Sequence, residues 1–339
     1  MQKRLEWSPG VRFDALRTAL AEGYQAVLQG LRTRTRLAYV PSILGLYVLK
    51  ALSGLVRVFP PAVSYRVALL VADIVFLVWR TGRHDTMVNM RHVLGLTATQ
   101  AQVRTMARQA LRNYFLVLVE FLSLRRLTRA EVLARIRQVQ GIEYVEQALA
   151  RGRGVILVGV HHGSWDLAAV LATSLGWPIT AVADTYGYPP LNDWVFAPRK
   201  AWGLRIISAR EPQTLRTAFK CLKDGEVLAL VIDRPTNGEG IPARFFDAEV
   251  SFPPGAAAIA LRTGATVIPG YFARQPDNTF VAGLLPPVEY VPCGDRGADM
   301  RGLTQAIVTR LEEIVRLYPE QWYAFQPLWD EDCRARTKR

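Results

Sequence analysis

Cysteine is scarce in this 339-residue chain: its three thiols, Cys221, Cys293 and Cys333, form no CxxC pair. A disulfide scaffold and a structural zinc site both need paired thiolates, so neither is expected, and the thiol usage suits a reducing compartment. Histidine is nearly as scarce, with His84, His92, His161 and His162, which limits metal chemistry built on several imidazoles. Charged residues are only 21% of the chain against 50% apolar, a balance that excludes wholesale disorder. Long uncharged runs are missing too. Leu37 to Leu49 is the longest in its region at 13 residues, and Val67 to Trp79 is broken by Asp73, whereas a bilayer span needs ~20. The opening MQKRLEWSPG has no apolar h-region or small-residue cleavage site, so no cleaved secretory signal is expected.

What the chain has in excess is positive charge, and it is unevenly placed. Residues 1–150 hold 21 basic and 9 acidic side chains, residues 151–339 hold 21 and 20, and the net charge is +13. In the basic half, Arg32, Arg34, Arg36, Lys50, Arg57, Arg66, Arg80 and Arg83 punctuate aliphatic stretches, with Tyr39, Tyr47, Tyr65 and Trp79 among them. This composition fits interfacial helices whose apolar face enters an anionic membrane surface while the cations meet lipid headgroups. Two core helices with solvated arginines are the alternative, and a true span is a third. Nucleic acid is not an expected partner, because no reading module accompanies the charge.

Residues 98–121 and 128–150 carry apolar positions at three- and four-residue spacing and read as amphipathic helices. From Gly152 the pattern changes to short β-rich runs: Val155–Val160, Thr180–Ala183, Arg205–Ser208, Val227–Ile232, Thr266–Tyr271 and Thr279–Ala282. Continuous apolar strands separated by helical stretches are those of a mostly parallel sheet flanked by helices, so the fold class is α/β. The chain returns to helix from about Asp299 to Tyr318. We expect an N-terminal helical, membrane-associating region over 1–97 and an α/β domain over 98–335, or one continuous domain over 30–335.

The residues that can carry chemistry stand where the first of those strands ends, in GVHHGSWDLAAVLATSLG. Gly163-Ser164 turns the chain into a helix from about Trp165 to Leu175, with Ser164 suited to its N-cap. Catalytic and ligand groups of open α/β sheets gather at such strand ends. Asp166 lies in the first helical turn, and the His-x4-Asp spacing can bring its carboxylate to His161. A carboxylate on Nδ1 fixes the imidazole tautomer and leaves Nε2 to take a proton from a bound hydroxyl, which makes His161 a general base. No G-x-S-x-G nucleophile elbow exists in the chain, so the hydroxyl belongs to the substrate. This suits direct acyl transfer from a thioester to an alcohol, with the oxyanion held by backbone N–H groups or an arginine.

Three blander readings stand beside this one. His161-His162 can be a packed pair with one ring exposed, since adjacent strand residues face opposite ways. Both imidazoles with Asp166 can hold a metal. Gly238-Glu239-Gly240 with Ala243 loosely matches a dinucleotide fingerprint, but Pro242 and the missing helix argue against it.

HHGSWD within GRGVILVGVHHGSWDLA resembles the H-x4-D/E block of the lipid A biosynthesis acyltransferases, a group that includes phosphatidylinositol mannoside acyltransferases. Further segments resemble the same family in order: GIEYVEQALARGRG, PLNDWVFAPRKAWGLRII with Arg199 four residues before Gly203, VIDRPTNGEGIPARFFDAEVSFPPGAAAIALRTGATVIP, the closing YPEQWYAFQPLW, and the asparagine-bearing RHDTMVNMRHVLG. The likeness covers roughly residues 40–330.

The resemblance implies a glycerolipid-acyltransferase-like sheet and an O-acyltransferase. Its expected substrates are an acyl carrier protein or coenzyme A thioester and a hydroxyl of a membrane glycolipid, of lipid A precursor or phosphatidylinositol mannoside type. It needs no cofactor and no metal. Its expected place is the cytoplasmic face of the bacterial inner membrane, peripheral or N-terminally anchored. By this resemblance His161 is the base and Asp166 its acidic partner, while Arg199 contacts the acyl-donor carbonyl or phosphate. Asp233 and Arg234 end a strand where they either contact substrate or form a structural ion pair, with Ser164 nearby in the same corner. Arg244, Phe245 and Phe246 are candidates for an acyl entrance. A metal-dependent hydrolase or a non-catalytic peripheral membrane protein is the competing class.

Overall fold

A computed structural model describes residues 39–234, 240–329 and 331–333. The basic Arg32, Arg34 and Arg36, and Gly238-Glu239, lie outside the described residues. Four helices come first: α1 (Val40–Val58), α2 (Pro61–Val78), α3 (Arg80–Leu94) and α4 (Gln100–Ser123). Prolines inside the first turns of α1 and α2 have no N–H to leave unpaired there. α4 starts at a capping box, with Thr99 and Gln102 satisfying each other's backbone N–H groups.

The remaining chain runs α5 (Arg129–Leu133), β1 (Ile136–Gln140), α6 (Ile142–Ala150), β2 (Val155–Gly159), α7 (Trp165–Ser174), β3 (Ile179–Ala183), α8 (Pro189–Ala201), β4 (Arg205–Ser208), α9 (Thr214–Lys223) and β5 (Val227–Val231). A hairpin of β6 (Ile241–Phe245) and β7 (Ala248–Phe252) follows. Then come α10 (Gly255–Thr263), β8 (Thr266–Arg274), β9 (Phe280–Leu284), α11 (Arg296–Leu317) and a 3₁₀ turn at Pro319–Gln321.

Seven strands form one sheet in the order β1-β9-β8-β2-β5-β3-β4. β2, β3, β4, β5 and β8 run parallel, while β9 is antiparallel to β8 and β1 parallel to β9. The expected α/β class with a mostly parallel sheet is what the chain adopts. β2 lies centrally, with Val155, Ile156 and Val158 buried, because helices cover both faces of the strand.

Two segments differ from the sequence reading. Residues 128–150 are not one helix: β1 interrupts them, and Gly141, at φ +73°, starts α6. Ile136, Val139 and their neighbours fit a helical stripe equally well, and edge pairing with β9 decides for strand. The β6–β7 hairpin carries a weak strand signal in the sequence, because Pro242, Arg244 and Glu249 dilute it. It buries Phe245, Val250 and Phe252 against the core that also holds Trp322 and Trp329.

α2 rests on α4 through Asp73, whose carboxylate accepts from Arg108 at 2.8 Å from both Nε and Nη2 and lies 3.8 Å from Arg112. The opposite sides of α1 and α2 are bare: Leu44, Val48, Leu52, Phe59, Val67, Leu70, Ile74 and Leu77 are exposed. At 19 and 18 residues, both helices are long and apolar enough to cross a membrane by length and composition.

Candidate active site

β2 and β5 pair in parallel register, Val155 opposite Val227 through Gly159 opposite Val231. His161 and Asp233 each stand two residues beyond the last of these pairs, on neighbouring strands. In-register neighbours of a parallel pair point to the same side, so the strands themselves deliver the carboxylate to the imidazole. Asp233 Oδ1 lies 2.6 Å from His161 Nδ1, and Asp233 Oδ2 accepts the His161 backbone N–H at 2.9 Å. The Trp322 indole N–H donates to Oδ2 at 2.9 Å. Burial works to raise the Asp233 carboxyl, but the facing His161 ring and these three donors outweigh it and hold the group below the usual carboxylate range. His161 Nε2 has no hydrogen-bond partner among the described residues.

The closing segment around Pro319–Trp322 is built into this corner. His162 forms an isolated antiparallel bridge with Trp322, Gly163 N–H donates to Gln321 O at 3.0 Å and Tyr323 N–H to His161 O at 2.8 Å. Gly163 has φ +57°, and a Cβ there would lie 1.7 Å from the Phe272 carbonyl oxygen, so only glycine fits. Asn89 of α3 donates to Ala324 O and Gln326 O at 2.8 and 2.7 Å. Asn113 of α4 donates to Glu320 O at 2.8 Å. These bonds account for the burial of Asn89 and Asn113 on α3 and α4, and they fix the segment that carries Trp322.

Asp166 does not partner His161. Its carboxylate is taken by Arg199, with Nε to Oδ1 at 2.5 Å and Nη2 to Oδ2 at 3.0 Å. The expected His161–Asp166 dyad is therefore corrected to His161–Asp233. The first turn of α7 carries Asp166 toward α8, while the imidazole Nδ1 faces β5. Arg199 lies over the Phe121 ring at 5.0 Å. Burial works against its charge, but Asp166 more than compensates and raises its pKa. Two of its five donors are thus spent on Asp166. Asp233, expected at the substrate or in a structural ion pair, is the imidazole's partner.

His162 and Ser164 are enclosed. His162 shares its Nε2 with Tyr318 O at 3.1 Å, and burial pushes its pKa down to about 4. The metal reading needed His161, His162 and Asp166 together, and the chain disperses them. Ser164 occupies the N-cap position of α7 as expected, but its side chain makes no capping bond and its buried hydroxyl has no partner among the described residues. Arg234 is exposed and lines a small cavity with His161, Asp233, Tyr323, Phe325 and Leu328. This cavity has a volume of about 10 Å³, room for one water-sized group. Phe245 and Phe246 are core residues rather than an entrance.

The sequence profile of the bacterial lipid A biosynthesis acyltransferases matches residues 32–331. The chain belongs to this family. A phosphatidylinositol mannoside acyltransferase of Mycolicibacterium smegmatis is 26% identical over 193 residues, which cover 56% of this chain and 62% of that relative. Its counterpart in Mycobacterium tuberculosis is 25% identical over 199 residues, 58% of this chain and 61% of the relative. The lipid A biosynthesis lauroyltransferase of Escherichia coli is 26% identical over 199 residues, 56% and 60%. The matches thus span about three fifths of the relatives' length.

Proposed function

We propose that the protein is an O-acyltransferase that moves a fatty acyl chain from a carrier-protein or coenzyme A thioester to a hydroxyl of a membrane glycolipid. The observation that carries this reading is His161, held by Asp233 through Nδ1 with Nε2 left to a substrate. Family membership supplies the acyl chemistry, and the names of the mycobacterial and enterobacterial relatives favour a glycolipid acceptor.

In this reading His161 Nε2 takes the proton of the acceptor hydroxyl as its oxygen attacks the thioester carbonyl. Asp233, already ionised, stabilises the resulting imidazolium. Arg234 and backbone N–H groups of the corner offset charge on the tetrahedral oxyanion. Collapse breaks the C–S bond, the thiolate takes the proton back from the imidazolium, and the ester departs. No metal or cofactor enters.

The bare faces of α1 and α2 support attachment at a membrane surface. The Asp73 ion pairs on α4 support helices that lie on the bilayer rather than cross it. The cytoplasmic face of the inner membrane is where thioester donors are found. Purified protein assayed with a long-chain thioester and glycolipid acceptor tests the reaction. Acyl transfer abolished in His161→Ala, with membrane binding intact, is the expected result, and undiminished turnover would remove the mechanism. Transfer sensitive to chelators would favour the metal-dependent hydrolase class.

A further inference from the structure

A larger cavity, about 550 Å³, lies apart from His161. It is lined by Arg57 in the last turn of α1 and by Arg125 and Arg129 around the α4–α5 connection, with Leu124, Pro198 and Trp202 as an apolar wall. Arg129 donates to Thr173 O at 3.3 Å, near the end of α7, whereas His161 precedes the start of α7. The ten residues of α7, about 15 Å of helix, therefore separate this cavity from the reacting imidazole.

The cations here are crowded. Arg125 places its guanidinium over the Trp194 ring at 5.2 Å and donates to Trp194 O at 2.8 Å. Among the described residues no carboxylate within 4.0 Å pairs with Arg125 or Arg129. Burial and the charge of Arg57 both push the Arg125 guanidinium below its ordinary pKa. Such a cluster becomes favourable when an anion completes it, and guanidinium forks match the oxygens of a phosphate. The source of that phosphate is indicated by α1. Leu44, Val48, Leu52, Leu55 and Phe59 are exposed along one stripe of α1 and its end, and Arg57, two residues from Leu55 and from Phe59, points to the other side of the helix. A helix lying with that stripe in the acyl boundary turns Arg57 toward the headgroup side.

We propose that this cavity binds the phosphate of an anionic lipid headgroup and fixes the α1 side of the protein on the membrane, separately from the reaction at His161. The inference rests on the membrane reading of α1 and α2 and not on acyl transfer. The test uses the full chain with vesicles of phosphatidylcholine alone or with phosphatidylglycerol. Arg125→Ala/Arg129→Ala should weaken binding to the anionic vesicles by about tenfold or more and leave binding to phosphatidylcholine unchanged. A charge-matched pair on the exposed loop before β2, Arg151→Ala/Arg153→Ala, should lose no more than about twofold.

Arg125→Lys/Arg129→Lys keeps the charge and loses the forks, so an intermediate loss supports a built site. Arg129→Glu alone, exposed on the first turn of α5, serves if the double variant fails to fold. Equal losses in the cavity and loop pairs, or no loss, overturn the proposal. So does adenosine 3′,5′-bisphosphate binding that disappears in the cavity variant while vesicle binding persists, since the phosphate then belongs to a soluble ligand. Wild-type chain that binds no vesicle refutes the membrane reading and this inference, and leaves His161 chemistry untouched.

Discussion

Two buried aspartates, Asp166 and Asp233, lie near one histidine and end with opposite tasks. Asp233 sits two residues past a strand in register with the strand of His161, and its carboxylate meets the imidazole and an indole N–H. Asp166 is only five residues from His161 in sequence, yet it meets a guanidinium on α8. The sheet register sets which carboxylate orients the base; closeness in sequence does not. The Asp166–Arg199 pair locks α7 to α8, and so holds the helix that begins beside the base.

Each aspartate can be replaced separately. Asp233→Asn should lower kcat for acyl transfer by about 10³- to 10⁴-fold, with the fold intact by circular dichroism, because the amide offers Nδ1 the wrong partner. Asp166→Ala should act through stability: removing one partner of a buried pair costs about 3–5 kcal/mol, read as a lower denaturant midpoint. Adding Arg199→Met to it should recover much of that loss, since the uncompensated charge is then gone. A double variant no more stable than Asp166→Ala would argue that Arg199 contacts substrate instead.

A smaller effect separates the two histidines of the corner. His162 is neutral when folded, with its pKa pushed from 6.5 to about 4. The unfolded chain therefore binds the extra proton first, and the stabilising contribution of neutral His162 is complete above pH 6.5 and lost as pH falls toward 4. Over that window it amounts to about 3 kcal/mol. Denaturant titrations should show His162→Asn with a flatter acid limb than wild type, and an unchanged limb would place the sensitivity elsewhere. The smallest expected effect is on the outer face of α2. Leu70→Glu/Leu77→Glu should reduce vesicle binding and leave the melting temperature within a few degrees, because surface substitutions away from packed features change stability by about 0.5 kcal/mol.

The strands β2, β3, β4, β5 and β8 were legible as runs of β-branched and aliphatic residues, and His161 as the residue where β2 runs out. The partner of His161 was misread because the His-x4-Asp spacing is local and visible, while the Val155–Val227 pairing depends on strand order. Strand order was open until the β5 crossover put β5 between β2 and β3. VILVGVHH and VLALVIDR carry the clue, each placing its polar residue six positions after its first valine. Asn89, Asn113 and Gln321 were invisible as structural residues, since their partners are backbone carbonyls and amides from distant segments. The β6–β7 hairpin escaped notice because its inward Phe245 and Phe252 alternate with Arg244 and Ser251, and its middle lacks an apolar run.

The assignment of Asp233 as the carboxylate that orients His161 is decided by kcat for Asp233→Asn and Asp166→Asn, measured on folded protein with the same thioester and acceptor. A fall of about 10³-fold or more in the first, with the second within about tenfold of wild type, is the result predicted. Near-normal turnover in Asp233→Asn together with abolished turnover in Asp166→Asn would contradict it.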